Sequence, residues 1–148
     1  MLLDRGAKVD AQHGCGCTAM CGAATRGHVG IVEQLLAHEA GVNIHLKSQS
    51  YTTVLHAAAG AGQIDIVKLL LDRGADVNAV ISWGTPLSGA AGEGHTTVVK
   101  QLIASGARVD TNPDSEAFMT ALEAAARAGH EDIVRLLLDE GADVDGRG

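Results

Sequence analysis

The densest group of reactive side chains is His13-Gly14-Cys15-Gly16-Cys17, with Cys21 four residues further on. One imidazole and three thiols are donors that bind zinc. Their spacing matches none of the paired-cysteine knuckles, and small buried thiols are a common alternative use of such residues. The set His13, Cys15, Cys17 and Cys21 is therefore kept as an alternative, and no metal or cofactor is expected. His38-Glu39 begins like a metalloprotease helix, but Val42 stands where the second histidine must be. There is no Gly-Lys-Ser/Thr phosphate loop and no Gly-x-Ser-x-Gly elbow. Three cysteines inside seven residues cannot staple distant parts of a fold, which points to a reducing compartment, cytoplasmic or nuclear.

The whole chain limits what could position such residues. Its 148 residues suit one ordinary domain, and 46% hydrophobic with 20% charged residues is a folding composition. The net charge of −7 argues against nucleic acid. It is carried entirely by residues 110–148, which hold 10 acidic and 3 basic side chains. No apolar run approaches the roughly 18 residues of a membrane span. Met1-Leu2-Leu3-Asp4-Arg5-Gly6 is not the start of a signal peptide. A soluble intracellular protein is expected, with no membrane partner. Large rings are scarce: Tyr51, Trp83 and Phe118 are the only aromatics, against 24 alanines and 19 glycines. Such a chain must pack thin layers closely instead of filling a thick core.

Self-similarity supplies those layers. Four segments align on a threonine: TAMCGAATRGHVGIVEQLL from Thr18, TVLHAAAGAGQIDIVKLLL from Thr53, TPLSGAAGEGHTTVVKQLI from Thr85 and TALEAAARAGHEDIVRLLL from Thr120. The threonines are 35, 32 and 35 residues apart, and a GADVN-like close follows each segment. Another such close, GAKVD at Gly6, precedes them all. Each Thr is placed to cap a short Ala-rich helix, and Pro86 fits the first helical position. The first helices should stop at Gly27, Gly62, Gly94 and Gly129. A second helix then carries branched and Leu residues at helical spacing, as in Ile133, Val134, Leu137 and Leu138. It should stop at Gly74, Gly106 or Gly141, with Glu39 the one departure.

The Thr-x-Leu-x-x-Ala-Ala element, the Gly-His pair, the Ile-Val-x-x-Leu-Leu run and the Gly-Ala-Asp-Val-Asn close occur in order and repeatedly. This pattern closely resembles the ankyrin repeat across nearly the whole chain. The resemblance implies a mainly α solenoid of β-hairpin and helix-turn-helix units, stacked into a curved, L-shaped array. The expected organisation is one domain, residues 1–148, with a partial unit 1–17 and full units starting near 18, 53, 85 and 120. The consensus Pro survives only as Pro86 and the consensus His only as His56. The connectors from Gly41 to Tyr51 and from Val109 to Phe118 each lengthen the usual repeat spacing by two residues. Neither end carries a polar cap, so a segment of a larger ankyrin-containing protein, or ends covered by another chain, is expected.

Ankyrin arrays bind partners with their hairpin tips and the concave face of the first helices. Carried over, this implies a non-catalytic module that binds a protein or peptide and takes no small-molecule substrate. Tyr51, Trp83 and Phe118 each sit two residues before their unit's Thr and so form one ladder, joined by Met119. Such rings can fix register or act as a recognition stripe. Carried over position by position, the concave face holds Thr25 and Arg26, Gly60 and Ala61, Gly92 and Glu93, and Arg127 and Ala128, with Arg26 and Arg127 on its flanks. The acidic last unit favours a partner with a basic segment. One further column, Cys21, His56, Ser88 and Glu123, has residue types that could support nucleophilic chemistry. Neighbouring units stand about 8–10 Å apart, too far for hydrogen-bond contact between equivalent residues. In ankyrin proteins this His usually ties its unit's Thr to nearby backbone. A metal- or small-molecule-dependent activity using Cys15, Cys17, Cys21 and His56 is the competing reading.

Overall fold

The computed structural model describes residues 8–12, 18–43, 53–81, 84–110 and 119–144. Eight short helices lie among them, in four antiparallel pairs. The pairs are α1 (Ala19–Thr25) with α2 (Val29–Ala37), α3 (Val54–Gly60) with α4 (Ile64–Asp72), α5 (Pro86–Gly92) with α6 (Thr96–Ala104), and α7 (Ala121–Ala128) with α8 (Glu131–Asp139).

Each first helix starts where its threonine can satisfy an orphan N–H. Oγ1 of Thr18, Thr53 and Thr85 accepts from the backbone N–H of Cys21, His56 and Ser88 at 3.2 Å, and Thr120 accepts from Glu123 at 3.1 Å. Each cap stabilises by about 1 kcal/mol. In two units the third helical residue returns the bond. The Thr85 N–H donates to Ser88 Oγ at 2.9 Å, and the Thr120 N–H donates to Glu123 Oε2 at 3.0 Å, completing capping boxes.

The first helices form an inner row, each packed along its length on its neighbour, while the outer helices touch more sparingly. Ala24, Ala58, Ala59, Ala90, Ala91 and Ala125 are completely buried in the inner row, where methyl side chains let backbones approach. Branched and Leu residues of the outer row, such as Val32, Ile66, Leu70, Leu102 and Leu137, close the same core from the other side. Burying one such side chain contributes roughly 1.5–3 kcal/mol. Close inner and wide outer spacing curves the stack, with the first helices on the concave side. The hairpin layer shows one antiparallel bridge among the described residues, Ile81 with Gly84, whose N–H groups and carbonyls exchange bonds of 2.9 and 3.0 Å.

The outer helices end as their residues dictate. Gly74, Gly106 and Gly141 take φ of 82°, 90° and 91°. At the same place in the first unit Glu39 has φ 61°, the one non-glycine residue with positive φ among those described.

Candidate protein-binding face

Two sets of polar bonds hold one unit to the next and so set the shape of the concave face. The first joins the inner row to the head of the next outer helix. Gln63 Nε2 donates to Thr25 O at 3.4 Å, and the Nε2 atoms of His95 and His130 bond Gly60 O and Gly92 O, both at 3.1 Å. A carbonyl can only accept, so Nε2 carries the proton in both histidines. These straps need glycine opposite them. A Cβ added at Gly62 would stand 2.7 Å from the His95 ring, and one at Gly94 would stand 2.6 Å from the His130 ring.

The second set joins successive closing loops. Asn43 accepts from the Asp76 N–H at 2.8 Å and donates through Nδ2 to Gly74 O at 3.0 Å. Asn78 repeats the pair with the Arg108 N–H at 2.8 Å and Gly106 O at 3.1 Å. Asp110 only accepts, from the Asp143 N–H at 2.8 Å, because a carboxylate has no N–H to give.

Within this frame, at the C-termini of the first helices, Gly60, Ala61 and Gly92 are half-buried, while Arg26, Glu93 and Arg127 are exposed. Arg26 and Glu93 are the C-cap residues of α1 and α5, and Arg127 lies in the last turn of α7. Met119 is half-buried immediately before Thr120. Tyr51, Trp83 and Phe118 lie outside the described residues, as do His13, Cys15 and Cys17.

Two members of the Cys21, His56, Ser88 and Glu123 column bond back to the threonine of their own unit. Ser88 Oγ donates to Thr85 O at 2.9 Å while accepting from the Thr85 N–H, and Glu123 is occupied by Thr120. Cys21 is buried in the core. The His56 ring lies against Gly89 of α5, where a Cβ would come within 3.0 Å of Nε2. Burial lowers its pKa from 6.5 to about 4, so it is neutral at physiological pH. Ser88 and Glu123 are therefore capping partners. The Thr-x-x-Ser and Thr-x-x-Glu spacing was the available signal for that role. The straps had a fainter signal, because Gln63 breaks the histidine column. No group of three His, Cys, Asp or Glu side chains placed to hold a metal lies among the described residues. None of the helices formed by those residues is long and apolar enough to cross a membrane.

A family model described as ankyrin repeats (3 copies) matches residues 1–81 and again 82–147. The chain belongs to the ankyrin repeat family. Ankyrin repeats are protein–protein interaction modules, and the family is generally non-catalytic. This ankyrin array is similar to delta-latroinsectotoxin-Lt1a of Latrodectus tredecimguttatus, 41% identical over 81 residues, covering 55% of this chain and 7% of that protein. It is also similar to ankyrin repeat and SOCS box protein 11 of Danio rerio, 40% identical over 70 residues, covering 47% of this chain and 23% of that protein. The matches span less than a quarter of either relative's length.

Proposed function

We propose that this ankyrin array is a non-catalytic scaffold that binds another protein through the concave face of α1, α3, α5 and α7 and through the hairpin tips. The carrying observation is the Gly/Ala-floored surface bordered by exposed Arg26, Glu93 and Arg127. A shallow surface with charged margins suits a polypeptide better than a small substrate, which needs a deep enclosing pocket. Tyr51, Trp83, Phe118 and Met119 supply the apolar anchors at the tips. The partner carries a basic segment, selected by the negative charge of residues 110–148. The chain acts as one domain, a partial unit 1–17 followed by units from 18, 53, 85 and 120, within a larger ankyrin-containing protein of the cytoplasm or nucleus.

Affinity capture with the wild-type chain, followed by titration of the identified partner against Trp83→Ala, tests this reading. A loss of affinity with unchanged helical content supports it. A lower Tm with unchanged affinity makes the ladder a register device and overturns the recognition role.

A further inference from the structure

The apolar columns that seal one unit to the next run out uncovered on the far side of α7 and α8. Ala24, Ala59 and Ala91 are completely buried, but Ala126, at the same repeat position, is exposed. Val32, Val67 and Val99 are likewise completely buried, while Val134 is only half-buried. Leu138 is 42% exposed and Val144 is 76% exposed, where the equivalent Leu71 and Val77 are half-buried. Together with Leu122 and Glu123 these residues line a cavity of about 300 Å³.

The polar register continues onto the same face. At Gly27, Gly62 and Gly94 an added Cβ would strike the Gln or His strap of the following unit within 2.6–2.7 Å. At Gly129, the fourth member of that series, an added Cβ meets none of the described residues within 4 Å. The straps donate to the carbonyls of Thr25, Gly60 and Gly92, and the same step along the repeat leads to the carbonyl of Arg127.

We propose that the outer face of α7–α8 is the seat of one further ankyrin-type helix pair, continuing the same stack, with His or Gln at the head of its second helix. Three internal junctions show what covers this combination of alanine, valine, glycine and carbonyl, and in each it is the next unit of the array. Face-to-face pairing of two copies would instead set the Glu123 and Asp143 rims against one another, a like-charge contact. This inference rests on the reading of a larger ankyrin-containing protein, and it shares with the concave face only the backbone carbonyl of Arg127.

The test joins a second copy of residues 79–110 directly after Asp145, the repeat equivalent of Asn78. The extended chain should melt roughly 5–15 °C higher, since each repeat interface adds to the stability of a linear array. Amide exchange in α8 should slow at least about 10-fold. Ala126→Arg should abolish both gains while leaving the Tm of the unextended chain within about 2 °C, because Ala126 is exposed there. An extension that changes neither quantity, or gains that survive Ala126→Arg, would overturn the proposal. So would sedimentation showing the unextended wild type to be a dimer that Ala126→Arg disperses, which would assign the face to a second copy.

Discussion

Replacing Glu39 with glycine should stabilise the protein, and the structure indicates by how much. Glu39 sits at φ 61°, where the other three units have glycine. Holding an L-residue in the left-handed region costs about 1–2 kcal/mol. Glycine gives back roughly 0.5–1 kcal/mol through the greater freedom of the unfolded chain. The Glu39 carboxylate also lies just beyond the negative end of α2, so its removal adds about 0.3 kcal/mol. The net gain is on the order of 1 kcal/mol. With a urea m-value of about 2 kcal/mol/M, the midpoint should rise by about 0.5 M at unchanged m. Urea denaturation followed by helical circular dichroism reads this directly. Glu39→Gln separates the two causes, since it removes the charge and keeps the Cβ, and should recover only about 0.3 kcal/mol. A Glu39→Gly midpoint no higher than that of Glu39→Gln would refute the backbone argument.

Other substitutions probe the contacts between units. Asp110→Asn should add the Nδ2 bond that Asn43 and Asn78 make, directed at Gly141 O, and raise stability by about 0.5–1.5 kcal/mol in the same urea assay. Gly62→Ala should cost about 2–3 kcal/mol, combining the left-handed penalty at φ 71° with displacement of the His95 strap. His56 has a folded pKa of about 4 against 6.5 unfolded, so the unfolded chain binds the extra proton between those values. Its contribution is present above pH 6.5 and is lost as pH falls toward 4, by about 2–3 kcal/mol. His56→Gln should flatten that part of the stability profile, and the imidazole resonances of His56 should remain those of the neutral ring at pH 5.

The parts legible in the residues are those governed by local chemistry. Thr18, Thr53, Thr85 and Thr120 cap helices because a hydroxyl three residues before an N–H closes that bond within one turn. Gly74, Gly106 and Gly141 end helices because only glycine takes positive φ without cost, and Glu39 stood out for the same reason. The straps were harder to see. Gln63, His95 and His130 find their carbonyls 35 to 38 residues away, and only the stacking geometry brings those groups together. The Cys21–Glu123 column resembled chemistry as a set of residue types. The distance between units and the structural role this His has in ankyrin repeats both argue against it, and the capping bonds of Ser88 and Glu123 give two of its members another use. Arg26, Glu93 and Arg127 are exposed at the C-terminal ends of their helices, a placement that repeat register fixes relative to each unit's threonine.

Isothermal titration of the captured partner against wild type and Trp83→Ala, with Tm recorded for both proteins, tests the central claim most directly. Affinity should fall by about 30-fold, as expected for an interfacial tryptophan, with Tm changed by less than about 2 °C. Unchanged affinity, with or without a fall in Tm, would contradict it.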